Sequence, residues 1–384
     1  MNEPIKCMLA TRGVSTDVNG SWRPCCKYDQ PESQVKHIMP WMSPSNTIDQ
    51  LYNSYQMQAL RQDLANGIRV PECRSCWDEE DAGIESYRQL MTKKYTDIGI
   101  EVDSHRTISS PPLYLDLKLS NVCNLMCRMC GPQASSMIGK EWEKMYPKGS
   151  FKNDPYWSQA KIVGTENEED FIKWLPHVKD ISITGGDPFV GKENKDIIKL
   201  MIDSGYAKNI QLQFNTNGML MTDSMLDMLK EFKYVSIAFS IDDIGKKLEY
   251  LRHGSDWQKI INNWNKVNYS NMKKHIYMTV CSYNVWYFNE AYEELNKLTN
   301  NISYDFVRGP EELNISMLNK VIKEEIIEKY SNNSKYERLV KFISIDHGKD
   351  LTGRFYKHIR EYDKFRNEDF TETYPEWSEI LMYG

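Results

Sequence analysis

The stretch that decides the fold is LYLDLKLSNVCNLMCRMCGP, residues 113–132. Its first part, 113–119, reads as a short β-strand, and the loop that follows carries Cys123, Cys127 and Cys130. Beyond it, β-like runs at 178–184, 210–215, 235–241, 276–281 and 302–307 alternate with helical patterns at 192–204, 223–232, 257–268 and 288–298. Strand–helix alternation of this kind builds a parallel sheet covered by helices. About six such units are present, fewer than the eight of a closed barrel. The expected class is therefore α/β, a partial (β/α)6 TIM-like barrel over residues 112–308, and an open doubly wound sheet fits the same pattern. In both arrangements chemistry sits at the C-terminal ends of the strands, where the cysteine loop lies.

Outward from this region, residues 1–95 read as an N-terminal cysteine-rich cap with helices at 47–64 and around 77–95. Residues 144–170, rich in Lys, Asn, Pro and Gly, read as an insertion, and 309–384 as a charged, aromatic, helical C-terminal extension with a helix near 318–330. Hydrophobic residues make up 40% of the 384 and charged residues 27%, the composition of a folded chain rather than a disordered one. The net charge of −6 gives no support to a nucleic-acid or anionic-membrane partner. No apolar run approaches the roughly 20 residues of a membrane span, and MNEPIKCMLATRG lacks the apolar core of a signal peptide. A cytoplasmic protein is expected. GxxxxGK[ST], GxSxG and HExxH are all absent and the seven histidines are scattered, which leaves phosphate-loop, serine-hydrolase and zinc-protease chemistry without footing.

Nine cysteines are an odd number for a disulfide framework, and eight of them fall within residues 7–130. Clustered thiols in a reducing compartment hold metal. Each iron of a 4Fe–4S cube needs an outside ligand. Three thiolates on one loop hold three irons and leave the fourth open to chelate the amino and carboxylate groups of a methionine moiety. A structural zinc knot would use the same thiols but wants four ligands, and the nearest histidine is His105, upstream of the strand.

CxxxCxxC in the loop after the first strand resembles the signature of the radical S-adenosylmethionine (radical SAM) superfamily. The resemblance implies an enzyme in which Cys123, Cys127 and Cys130 hold a 4Fe–4S cluster and S-adenosylmethionine is cleaved reductively, so that a hydrogen atom is abstracted from a substrate. Met129 stands where the family usually has an aromatic residue near the adenine. SITGGDPFV, residues 182–190, is similar to the family's GGEP motif and implies cofactor contacts at Gly185, Gly186 and Asp187, with Asp in place of Glu. FNTNGML (214–220) resembles the family's TNG segment, which implies that Asn217 faces the cofactor. FSIDD (239–243) resembles the ribose-binding segment through Ser240 and Asp242, and LRHG (251–254) places Arg252 where relatives hold a cofactor carboxylate.

Cys7, Cys25, Cys26, Cys73 and Cys76 resemble the auxiliary-cluster ligands of twitch or SPASM domains. They imply a second 4Fe–4S cluster on Cys7, Cys25, Cys73 and Cys76, with Cys26 as the alternative to Cys25. A Cys₄ zinc site suits the same residues. Cys281 reads as a buried structural thiol, or as a hydrogen donor. The expected substrate is a peptide or protein side chain. A small molecule such as a nucleotide, sugar or cofactor precursor, or a non-catalytic iron–sulfur or zinc scaffold, are the other readings, and the expected partner is a reducing electron donor such as flavodoxin or ferredoxin.

Purified without oxygen and reconstituted, the protein should carry about eight irons with matching sulfide. About four irons with one zinc would make the N-terminal site structural, and zinc alone would remove the radical reading.

Overall fold

The computed structural model describes residues 3–18, 22–28, 48–102, 107–147 and 168–383. His105 and most of the expected insertion at 144–170 lie outside the described residues. The chain forms two compact units, 1–121 with 154–214 and 223–235 in the first, and 122–153 with 215–222 and 236–384 in the second. The strands among the described residues are β1 (Gly13–Thr16), β2 (Trp22–Arg23), β3 (Tyr114–Lys118), β4 (Met126–Cys127), β5 (Asp180–Thr184), β6 (Gln211–Thr216), β7 (Tyr234–Ser240), β8 (Arg252–His253), β9 (Met272–Val280) and β10 (Ile302–Phe306). The six strands expected from the sequence are β3, β5, β6, β7, β9 and β10.

In the first unit the sheet runs β2-β1-β3-β5-β6. β1, β3, β5 and β6 are parallel, and β2 is antiparallel to β1. The register follows from the sequence alternation. Val14, Leu115, Ile181 and Leu212 lie in one cross-strand row, and Leu117, Ile183 and Phe214 in the next. All seven are buried, and burying side chains of this size contributes about 1.5–3 kcal/mol each. On the opposite face Ser15, Asp116, Ser182 and Gln213 form a polar row, in which Ser15 Oγ donates to Asp116 Oδ2 at 3.0 Å. A one-residue slip would exchange the two faces, so the register is firmly specified.

β1 lies within the segment expected to form a cap at 1–95. Residues 13–15 pair in parallel with 114–116, so the N-terminal segment supplies a strand to the same sheet. Val14 continues the apolar row, which is the physical reason for the pairing. Each of the two long helices expected in this segment is broken in two. Ile48–Tyr52 and Tyr55–Ala65 are separated where Ser54 caps the second helix by accepting from the Met57 amide. Arg74–Asp81 and Tyr87–Thr96 are separated by Gly83, at φ +69°, and by a capping box between Ser86 and Gln89. Arg61, 2% exposed, ties the pieces together by donating to the carbonyls of Ala10 and Tyr52 at 2.8 and 2.9 Å.

In the second unit β7, β9 and β10 are neighbours in that order, and β10 is parallel to β9. β4 and β8 form a separate two-residue antiparallel pair, with Met126 opposite His253 and Cys127 opposite Arg252. Its helices include Ser136–Met145, Trp257–Lys266, Phe288–Asn296, Lys320–Ser331 and Thr352–Arg366. Among the described residues no helix is long and apolar enough to cross a membrane.

Gly218 follows β6 with φ +74°, and a Cβ there would lie 2.8 Å from the Phe239 ring. Gly218→Ala should therefore cost about 2–4 kcal/mol, combining left-handed strain with overpacking, and should lower the urea midpoint.

Candidate functional site in the cysteine loop

The loop's three cysteines belong to the second unit. Cys127 is buried, and Cys123 and Cys130 are half-buried. A tight turn from the Cys130 amide to the Cys127 carbonyl, 3.0 Å, brings the last two thiols together. Cys127 and Cys130 share a hydrogen bond. This hydrogen bond and burial hold Cys127 above the usual thiol range, and the same bond pulls Cys130 below it. The Arg252 guanidinium draws both downward. Downstream, Ser135 Oγ donates to the Leu125 carbonyl at 2.7 Å and caps the helix Ser136–Met145, fixing where the loop ends.

Two side chains direct N–H groups at the sulfurs. Asn217 Nδ2 lies 3.8 Å from Cys123 Sγ and 2.9 Å from Asn124 Oδ1. Arg252 Nη1 lies 3.8 Å from Cys127 Sγ. Arg252 is held by Asp242, whose Oδ2 accepts from both Nε and Nη2 at 2.7 Å. Asp242 Oδ1 accepts from the Thr279 amide at 2.7 Å. Asp242 is fully buried, and that burial raises its carboxyl above the usual range against the pull of Arg252. Of the residues expected to meet S-adenosylmethionine, Asp242 and Arg252 are thus joined to each other. Ser240 ends β7 and Met129 lies inside the loop, both half-buried.

Arg128, between Cys127 and Cys130, belongs to none of the motifs legible in the sequence. It has no exposed surface. Its Nη2 donates to Asp363 Oδ1 and Glu368 Oε2 at 2.6 and 2.5 Å, its Nε to the Tyr250 carbonyl at 3.1 Å, and its guanidinium lies 3.7 Å from the Tyr250 ring centroid. Glu368 also pairs with His253 at 2.6 Å. Arg366 grips Glu141 at 2.7 Å and donates to the Met126 carbonyl at 2.7 Å. The C-terminal segment, whose role the sequence left open, thereby clasps the loop from behind. An arginine flanked by cysteines in an otherwise uncharged loop was the available signal. Cys281 is fully buried near Asp242 and Arg252, and burial pushes its thiol up to about 12.

The other expected residues lie in the first unit. Gly185 and Gly186 have φ of +82° and +54°. A Cβ on Gly185 would stand 3.0 Å from the Ser120 carbonyl, so the turn after β5 requires glycine there. Asp187 is buried, and its Oδ1 accepts from the Phe189 amide at 2.9 Å, the turn its Asp-Pro sequence suggests.

The N-terminal thiols separate into two environments. Cys7, Cys25, Cys73 and Cys76 surround one apolar cluster with Met57, Leu60 and Trp77. Burial raises all four. Repulsion raises Cys25 further, from Cys26 first and then from Cys73, Cys7 and Cys76; it raises Cys73 through Cys7 and Cys76, and Cys7 through Cys76. Cys26 turns away. Its thiol is pushed up to about 12 by burial and then by Asp116, with which it shares a hydrogen bond. The structure thus groups Cys25, rather than Cys26, with the other three.

Among the described residues no three His, Cys, Asp or Glu side chains are gathered to grip a single metal ion. A cubane asks for something different, since each thiolate ligates its own iron corner. The donor set of the loop fits that demand, with three thiols, no fourth ligand nearby in sequence and N–H groups aimed at two of the sulfurs.

Residues 117–295 match the model of the radical SAM superfamily. Over these residues the chain is similar to that superfamily. It is 27% identical over 168 residues to 7,8-dihydro-6-hydroxymethylpterin dimethyltransferase of Methanocaldococcus jannaschii, covering 42% of this chain and 29% of that protein. It is 32% identical over 130 residues to the tungsten-containing aldehyde ferredoxin oxidoreductase cofactor-modifying protein of Pyrococcus furiosus, covering 34% of this chain and 30% of that one. The chain thus spans about a third of the length of these curated relatives. Among solved structures it is similar to native anSMEcpe with bound AdoMet, at 20% identity and a TM-score of 0.40, over 67% of this chain and 62% of that one.

Arg128→Met should strand Asp363 and Glu368 beside an apolar side chain. The cost should be about 3 kcal/mol, the lower end for breaking a buried pair because the carboxylates keep 16% and 20% exposure; urea unfolding reads it. In the N-terminal set, Cys25→Ala should reduce the metal bound per chain while Cys26→Ala leaves it unchanged, measured by metal analysis of the reconstituted protein.

Proposed function

We propose that the protein is a radical SAM enzyme of the twitch or SPASM kind, built on a partial barrel, that removes a hydrogen atom from a peptide or protein side chain. The observation that carries the chemistry is the loop itself: three thiols, two of them met by N–H donors, within the matched domain. In this reading Cys123, Cys127 and Cys130 hold a 4Fe–4S cluster. When bound, the cluster and S-adenosylmethionine supply a 5′-deoxyadenosyl radical generated by reduction.

The chain's own residues do the rest. Arg252, fixed by Asp242, and Asn217 orient donors toward the sulfurs. Arg128 and Arg366 hold the loop's backbone from the C-terminal side. Met129, Ser240 and the Gly185-Gly186-Asp187 turn are the proposed contacts of the adenosyl and methionine portions. Cys7, Cys25, Cys73 and Cys76 hold a second cluster, and a low-potential donor such as flavodoxin or ferredoxin delivers the electron. The four-thiol set supports the peptide reading, since an extra cluster can receive the electron released when a side chain is oxidised. A small-molecule substrate is the second reading, favoured by the pterin in the name of one relative.

Reduced with dithionite, the reconstituted protein should release 5′-deoxyadenosine from S-adenosylmethionine, and Cys127→Ala should abolish release. Cleavage that persists in that variant would sink the assignment of the loop. Stimulation by peptides, or instead by pterins and nucleotides, decides between the two substrate classes.

A further inference from the structure

The arrangement of Arg252 leads beyond the role expected for it. A cofactor carboxylate would use a bidentate edge of the guanidinium, of which Nε–Nη2 is one. In this structure that edge, Nε and Nη2, is already closed on Asp242 Oδ2 with both distances at 2.7 Å. Asp242 is itself fixed, with Oδ1 on the Thr279 amide and its backbone carbonyl on Asn284 Nδ2 at 2.9 Å. The β4–β8 pairing sets Cys127 directly opposite Arg252. The group left facing outward from the Asp242 pair is Nη1, which lies 3.8 Å from Cys127 Sγ. Asn217 is locked in a comparable way. Its Oδ1 accepts from the Met219 amide at 2.9 Å, which turns Nδ2 toward Cys123 Sγ. Two of the three thiols are therefore each met by a pre-set N–H donor, one of them cationic.

We infer that Arg252 and Asn217 are positioning residues that set the reduction potential of the cluster held by this loop, with Arg252 acting on Cys127 rather than holding the cofactor's carboxylate. The inference rests on the reading of Cys123, Cys127 and Cys130 as cluster ligands. Its physical basis is general. Reduction adds negative charge that spreads onto the thiolate sulfurs, and hydrogen bonds and positive charge at those sulfurs stabilise the reduced form. Cys127 is buried and Arg252 is 8% exposed, so water screens the interaction little. Asp242 orients the guanidinium, and Thr279 and Asn284 orient Asp242. The donor geometry is thus already present before any ligand arrives.

The test is an EPR-monitored redox titration of the reconstituted full-length protein without S-adenosylmethionine, following the signal that Cys127→Ala removes. Arg252→Gln should titrate at a more negative midpoint than the unaltered protein. Arg252→Lys, which keeps the charge, should fall between the two, and Asn217→Ala should shift in the same direction by less. A fully loaded Arg252→Gln protein with an unchanged midpoint and only weakened S-adenosylmethionine binding would overturn the inference and return Arg252 to the carboxylate. If Arg252→Gln retains no iron, Arg252→Lys and Asn217→Ala decide, and unchanged midpoints in both overturn it. Failure of the unaltered protein to take up iron on the loop would instead defeat the underlying reading, an outcome separable from a midpoint that does not move.

Discussion

A guanidinium with no contact to water imposes the central constraint on the second unit. Arg128 stands between two cysteines that must stay on one side of the loop, so its charge has to be met on the other. An unpaired buried charge costs several kcal/mol. Asp363 and Glu368 meet it from more than 230 residues away in sequence. The Tyr250 face covers the cation, Tyr250 Oη donates to Asp363, and His253 shares Glu368. Arg366 repeats the device one step along, with Glu141 and the Met126 carbonyl. The thiols are consequently held by a loop tied to the C-terminal segment by ion pairs.

The first unit solves a different problem. Its sheet places an apolar face and a polar row back to back, and the polar row buries Asp116 among hydroxyl groups. Four thiols nearby are crowded and desolvated, which makes each of them harder to ionise. Such a set binds protons tightly until a positive centre displaces them, because metal binding requires thiolates and supplies the charge that stabilises them. Arg88, drawn toward Cys7 and Cys76 but paired with Glu80, offsets only part of that repulsion. The crowding of the thiols and their chemistry are thus two sides of one arrangement.

The sequence by itself determined the alternation of strands and helices, because period-2 and helical patterns are local properties of the chain. It also located the cysteine loop after β3, since ligand spacing within one loop is readable as spacing, and it pointed to the Gly-Gly-Asp-Pro turn and to Arg252. The tertiary structure alone decided that β1 joins the sheet, because a four-residue strand carries too little pattern to declare its partner. It set Cys25 and Cys26, adjacent in sequence, in different surroundings. It joined Arg252 to Asp242 and Cys127, and Arg128 to Asp363 and Glu368. Those pairings depend on charges that meet only after the chain has folded. Nothing in linear spacing encodes them, since the free energy that selects them is the cost of leaving a buried charge without a partner.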